Sequence, residues 1–230
     1  MENGTHNHYF RRKLIIFLVI IVLAILFWSS AELQKFLSDS TFFAGQYLER
    51  YPFTGIMVFW AISTLSAILS PFSSIPFVPV AIAVWGNITT ALILLSGWIS
   101  GAMVSYFLGS STGYVLAQKI FSLEKAKYYK QKLSAQAKFL TVLVFRLAIP
   151  TEIAGYVLGT IKYDLVKYFI ATVIAEIPFA LIVVYSGEAF MEANKIRFVF
   201  LIFLALVLMS AMFFLFKKLQ KNNSKNSNEY

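Results

Sequence analysis

Three ionisable residues lie inside long apolar stretches of this sequence: Arg146, Glu152 and Glu176. An unpaired charge at the centre of a bilayer costs about 2.5–3.5 kcal/mol or more, so each of these side chains must face protein or water. Arg146 and Glu152 lie on either side of Pro150, on opposite limbs of one predicted hairpin, and Glu176 lies in the next apolar segment. Either acid could pair with the arginine.

Two roles are open for these charges. A guanidinium has forked donors that suit a phosphate group, and a neighbouring carboxylate could relay a proton or compete for the arginine. The alternative is a structural ion pair that holds the hairpin closed. We treat the three residues as candidates for a substrate path.

Other chemistry has few carriers in this chain. There is no cysteine, and the only two histidines, His6 and His8, lie in the polar N-terminal segment. Thiolate sites, histidine metal sites in the apolar body and a Ser-His-Asp set are therefore excluded. We expect a protein that is not an enzyme and that holds no metal or cofactor.

The composition indicates a membrane protein. Of the 230 residues, 59% are hydrophobic and 13% are charged, against roughly half and a quarter in a soluble domain. The apolar residues form blocks long enough to span a hydrocarbon layer of about 30 Å. The net charge of +9 lies in short segments between these blocks, which favours topology signals and anionic lipid head groups as partners over nucleic acid.

The blocks predict an all-α polytopic protein with about four full transmembrane helices and two opposed re-entrant hairpins. The segments, in chain order, are a polar cytoplasmic leader at 1–13, an anchor helix at 14–30 (a cleaved signal peptide is the alternative), a hairpin or two short spans at about 52–95, a span at 97–117, an amphipathic cytoplasmic segment at 119–138, a hairpin at 139–161, a span at 165–186, a last span at 198–216 and a basic disordered tail at 217–230.

Prolines set the two breaks. One regular helix cannot contain Pro71, Pro76 and Pro79, because each lacks an N–H and clashes with the preceding turn. Positively charged segments stay on the cytoplasmic side. The leader, segment 119–138 and the tail can all be cytoplasmic only if 139–161 turns back near Pro150 instead of crossing the membrane. This predicts a plasma-membrane protein with both termini cytoplasmic. Segment 119–138 would then lie on the membrane face, or form a solvated loop; its surface lysines include Lys125, Lys127, Lys130 and Lys132.

A weak internal repeat links the two breaks. Each unit contains a proline break, a short helix ending at glycine and a full span ending at glycine; the markers are Pro76, Gly86, Gly101 and Gly109 in one unit and Pro150, Gly159, Glu176 and Gly187 in the other. The two spans run in opposite directions, and inverted repeats with broken helices are a transporter architecture. Glycines spaced by four and eight residues between Gly97 and Gly113 predict close helix contact.

The ordered motifs resemble the VTT domain of the SNARE-associated Golgi protein family, in the DedA-like superfamily, and look closest to its bacterial branch. The motifs are Pro71–Pro76 with Gly86, Gly97, Gly101 and Gly109, and then Phe145–Pro150 with Gly155, Gly159, Pro178 and Gly187. The resemblance covers about residues 50–190. It implies two facing re-entrant hairpins, with Pro76 and Pro150 as hairpin prolines and Arg146 as the family arginine.

In function, the resemblance implies movement of phospholipids or polyprenyl-phosphate carriers between leaflets. The chain departs from the pattern at Glu152, where relatives usually have an uncharged residue, and at Ser110, where an arginine is common. The first hairpin carries no acid, so proton coupling would need Glu152 or Glu176. The leading hypothesis is a flippase or scramblase. An ion-coupled transporter of small solutes and a non-transport scaffold are the alternatives, and a homo-oligomer remains open.

Overall fold

The computed structural model describes residues 51–69, 73–111 and 137–226, with side chains to residue 219. Six helices follow in chain order: α1 (Pro52–Ile68), α2 (Val78–Ser111, preceded by a 3-10 turn at Ile75–Phe77), α3 (Phe139–Ala148), α4 (Thr151–Thr160), α5 (Leu165–Met191) and α6 (Lys195–Asn226). The predicted leader and anchor, Pro71 and the four surface lysines Lys125, Lys127, Lys130 and Lys132 lie outside the described residues.

Among the described residues, three stretches are long and apolar enough to cross a membrane: Ile75–Ser111, Leu165–Met191 and Lys195–Leu219. Two shorter apolar helices, α1 and α3, accompany them. All the regular structure in the described part of the chain is helical. The protein is therefore an all-α polytopic membrane protein.

Gly86 divides α2 into a short limb, 78–85, and a long limb, 87–111. Its backbone has φ 75° and ψ 172°, a region that is essentially restricted to glycine. A Cβ atom at Gly86 would meet nothing within 4 Å, so there is room for a side chain. Glycine is required by the backbone conformation alone. The long helix thus begins at Asn87, ten residues before the predicted start at Gly97.

Two helical hairpins result. In the first, α1 and the short limb of α2 lie side by side: the Ser66 and Ser74 hydroxyls are 3.1 Å apart near the tip, and the rings of Phe59 and Trp85 are 6.1 Å apart near the base. In the second, α3 and α4 meet at an extended Ile149–Pro150 pair. A residue before proline is disfavoured in helical conformation, which explains why the chain turns here.

The long limb of α2 and helix α5 run antiparallel, as the inverted repeat requires. Asn87, at the start of the limb, donates a hydrogen bond to Glu188 near the end of α5. At the other end, the Tyr168 hydroxyl donates to the carbonyl of Ala102 over 2.9 Å.

Glycines make the contacts between the two repeats. Gly109 lies 22 residues after Asn87, and Gly187 lies 22 residues after Leu165. A Cβ on Gly109 would come within 2.5 Å of the Tyr156 carbonyl oxygen in α4, and a Cβ on Gly187 would lie 3.0 Å from Ile82 in the short limb of α2. Each short helix therefore packs on the span of the other repeat.

Helix α6 extends further than the sequence suggests. The tail from 217 was expected to be disordered, but α6 is helical as far as Asn226. Leucine, lysine and glutamine are good helix formers, so the helix that ends the last span can continue into the tail. Phe216, which is buried, anchors this end against Phe145 of α3, with ring centroids 5.2 Å apart.

Candidate functional site

A buried ion pair joins the second hairpin to α5. Arg146 lies in the last turn of α3, and its Nη2 atom is 2.8 Å from Oε1 of Glu176, with side-chain exposures of 0% and 5%. Of the two acids that could pair with Arg146, the structure therefore selects Glu176. The two residues are 30 positions apart in sequence, and the turn at Pro150 together with the start of α5 at Leu165 brings them together.

Further groups fix this pair in position. The Thr151 hydroxyl donates to the same Glu176 oxygen over 2.6 Å, and Arg146 Nη1 donates to the Thr151 carbonyl over 3.1 Å. The guanidinium carbon lies 5.4 Å from the centre of the Tyr168 ring, a cation–π distance. The third guanidinium nitrogen differs: within the described residues, Nε of Arg146 is buried and has no hydrogen-bond partner.

The pair opens onto a cavity of about 340 Å³ between the tips of the two hairpins. The second hairpin and α5 contribute charged and polar groups to its wall, and the first hairpin and α2 contribute hydroxyl and indole groups. Its polar lining consists of Arg146, Thr151, Glu152 and Glu176 from the former and Ser66, Ser73, Ser74 and Trp98 from the latter. The two proline breaks thus face one another across one space.

Glu152 lies in the first turn of α4 and lines the cavity beside Arg146. It is only partly buried, and it forms no ion pair within the described part of the chain. It therefore shares the cavity with Arg146 as a separate carboxylate.

The first tip has its own hydrogen-bonded group, which sequence patterns did not reveal. The Trp98 indole N–H donates to the Ser74 hydroxyl over 3.2 Å, and the Ser74 side chain is in turn 3.1 Å from the hydroxyl of Ser66. Trp98 lies eleven residues after Asn87, as Glu176 lies eleven after Leu165. With the first span starting at Asn87, as the structure has it, the two side chains occupy equivalent positions in the two repeats.

The remaining candidate residues line the hairpins. Pro76 lies in the 3-10 turn and is exposed, and Pro79 is buried at the start of α2. A Cβ on Gly155 would come within 2.8 Å of Ser105 Cβ, and one on Gly159 would overlap the Tyr106 carbonyl oxygen. These two glycines let α4 lie directly on the long limb of α2.

The sequence of this region matches a known family. A model of the VTT domain matches residues 70–189, which is more than half of the chain and runs from the first proline break to near the end of α5. The chain belongs to the VTT domain family. The matched range of this VTT protein contains Arg146, Glu176 and both sides of the cavity. No curated protein and no solved structure matches the chain.

The arrangement limits what the site can do. Within the described residues, no group of three or more metal-ligating side chains comes together. The cavity offers instead one guanidinium, two carboxylates and several hydroxyls. These groups can bind a small polar or charged ligand through hydrogen bonds and ion pairs.

Proposed function

We propose that this VTT membrane protein moves phospholipid or polyprenyl-phosphate head groups between the two leaflets of the plasma membrane. The observation that supports this proposal is the cavity between the hairpin tips, with the buried Arg146–Glu176 pair in its wall. A polar head group would pass through this cavity while its acyl chains stay in the surrounding lipid.

Helix lengths support a re-entrant arrangement. Helices α3 and α4 have ten residues each, about 15 Å at 1.5 Å per residue, and this is half of a hydrocarbon layer of about 30 Å. A hairpin with such limbs would enter from one face and turn near the midplane. Backbone that is broken at this depth is tolerated where it lines a wet cavity.

The charges at the two ends of the bundle favour one orientation. Among the described side chains, five lysines lie at the end where α3 begins and α6 leaves the bundle, and two basic residues, Lys195 and Arg197, lie at the other end with Glu188 and Glu192; the five are Lys138, Lys162, Lys167, Lys217 and Lys218. By the positive-inside rule, the lysine-rich end faces the cytoplasm. With the predicted anchor helix at 14–30 as a span, this orientation would give both termini a cytoplasmic location, and the lysines predicted for segment 119–138 would lie beside the anionic inner leaflet.

Topology can be tested with single cysteines, because the natural chain has none. We expect Glu192→Cys in intact cells to react with a membrane-impermeant thiol reagent, and Lys162→Cys to react only after the membrane is permeabilised. Reversed labelling would contradict the orientation on which the lipid path is based.

Arg146 would hold the lipid phosphate. Its guanidinium can donate to phosphate oxygens in a forked geometry, and within the described residues its buried Nε atom has no hydrogen-bond partner. Because Glu176 already occupies one side of the guanidinium, the phosphate would share or displace that carboxylate. Such an exchange keeps the arginine paired throughout, which avoids the cost of an unpaired charge inside the membrane.

The decisive experiment is lipid exchange in liposomes that contain the purified protein. A fluorescent phospholipid on the inner leaflet is protected from an external quencher, and its loss of protection reports exchange. We expect wild-type protein to accelerate exchange over protein-free liposomes, and Arg146→Gln to slow it at least about tenfold, the effect of losing one charged contact.

A matched control is available in the same chain. Arg197 also forms an ion pair, with Glu188 at 2.6 Å, but it is 39% exposed and lies at the end of the bundle. Arg197→Gln should therefore exchange lipids at the wild-type rate. If Arg146→Gln matches wild type while both variants remain folded, or if wild type does not accelerate exchange, the proposal fails.

A further inference from the structure

The charges in the cavity do not balance. Three ionisable side chains line it: Arg146, Glu152 and Glu176. Arg146 and Glu176 neutralise one another across 2.8 Å, which leaves the Glu152 carboxylate as the excess charge. By formal charge, the side chains that line the cavity therefore sum to one negative charge.

Glu152 has no cationic partner within the described residues. It lies in the first turn of α4, where the partial positive charge at the helix N-terminus attracts a carboxylate only weakly. This attraction does not replace the partner that a charge at membrane depth needs. A cation bound in the cavity would supply that partner.

Of the head groups named in the proposed function, a purely anionic one such as a polyprenyl phosphate fits this cavity less well than a zwitterionic one. Its phosphate would bring a further negative charge into a space that already holds two carboxylates and one guanidinium, and like charges repel one another. A zwitterionic head group adds no net charge. Its phosphate can bind the Arg146 guanidinium in the cavity wall, and its cation can bind Glu152.

We propose that Glu152 makes this site selective for lipids whose head group carries a primary ammonium beside the phosphate, as in an ethanolamine phospholipid. This inference rests on the proposed lipid-exchange function and names its substrate class. A primary ammonium has three N–H donors, whereas the quaternary ammonium of choline has none and cannot hydrogen-bond to the carboxylate. The order of exchange rates is ethanolamine, then choline, then glycerol phospholipid.

The test uses full-length protein in liposomes with labelled phosphatidylethanolamine, phosphatidylcholine and phosphatidylglycerol that share the same acyl chains. For wild type, we expect exchange of the ethanolamine lipid to exceed that of the glycerol lipid by about tenfold, the effect of one close charge pair. Glu152→Gln should remove most of this difference, both by slowing the ethanolamine lipid and by speeding the glycerol lipid.

Glu192→Gln is the matched control. Glu192 is an exposed acid that pairs with Arg197 at 3.2 Å, outside the cavity, and its loss should leave the preference unchanged. Equal wild-type rates for all three lipids, or a preference that survives in Glu152→Gln, would overturn the selectivity while leaving lipid exchange intact. If wild type moves none of the three lipids, both the exchange function and the selectivity are rejected.

Discussion

The Arg146–Glu176 pair allows a prediction about stability that does not depend on transport. We compare Arg146→Gln, Glu176→Gln and the double variant by equilibrium unfolding in mixed detergent micelles. Removing one partner of a buried pair costs about 3–5 kcal/mol, because the other charge is left uncompensated. If the two losses were independent, the double variant would lose their sum, about 6–10 kcal/mol.

The structure predicts strong coupling instead. The two side chains are 0% and 5% exposed and 2.8 Å apart, and two neutral glutamines leave no buried charge behind. The double variant should therefore be more stable than the sum of the single losses by up to about 3 kcal/mol, the range found for residues in contact.

The two single variants should also differ from each other. In Arg146→Gln, Glu176 keeps its hydrogen bond from the Thr151 hydroxyl, and a carboxyl group, unlike a guanidinium, has a neutral form. In Glu176→Gln, the guanidinium stays charged, and the acceptors left to it are the Thr151 carbonyl and the uncharged glutamine carbonyl. Glu176→Gln should therefore lose more unfolding free energy than Arg146→Gln.

Arg197 and Glu188 provide the control cycle. Their atoms are even closer, at 2.6 Å, but the side chains are 39% and 23% exposed, so the coupling should be below about 1 kcal/mol. The reasoning is refuted if the Arg146–Glu176 losses are additive, or if the exposed pair couples as strongly as the buried one. Either result would mean that burial does not set the strength of these pairs.

Three further changes test the packing around the cavity. Gly159→Ala should lower the unfolding free energy by about 1–3 kcal/mol, because its Cβ would overlap the Tyr106 carbonyl; full stability in a denaturant titration would contradict this contact. Gly86→Ala should lower the unfolding free energy by a similar amount, about 1–3 kcal/mol, because of backbone strain at φ 75°. Wild-type stability in the same titration would mean that the fold does not need the kink at this residue. Trp98→Phe should lower the unfolding free energy by about 0.5–1.5 kcal/mol, because it removes the hydrogen bond to Ser74. In a Ser74→Ala background, the same substitution should cost clearly less.

The charged part of the site could be predicted from sequence because charge is rare in apolar segments. Arg146 and Glu176 are conspicuous in that context, and the cost of burying them predicts that they need partners. Their pairing could not be predicted, since Glu152 lies six positions from Arg146 and Glu176 lies 30 away. The fold decides the pairing. The chain turns back at Pro150, and Thr151 then forms hydrogen bonds with both Arg146 and Glu176.

Helix boundaries were less accessible for a different reason. The sequence is largely apolar both before and after the predicted start at Gly97. Hydropathy therefore contains no signal for the change from hairpin to span. The boundary depends on the dihedral angles of Gly86, and a glycine in a sequence does not state its conformation. Trp98 was missed because tryptophan is ordinary in a membrane helix, and only its indole N–H, aimed at Ser74, distinguishes it.

The equivalence of Trp98 and Glu176 shows how the two repeats have diverged. In each repeat, the same position of the long helix contacts a hydroxyl at the proline break of its own hairpin: Trp98 contacts Ser74 and Glu176 contacts Thr151. Only the second repeat adds an arginine, so the cavity has one charged wall and one neutral wall. A head group would then be bound mainly by the second hairpin and α5. The first hairpin would enclose it through hydroxyl and indole groups, without a second charge that would hold the head group in place.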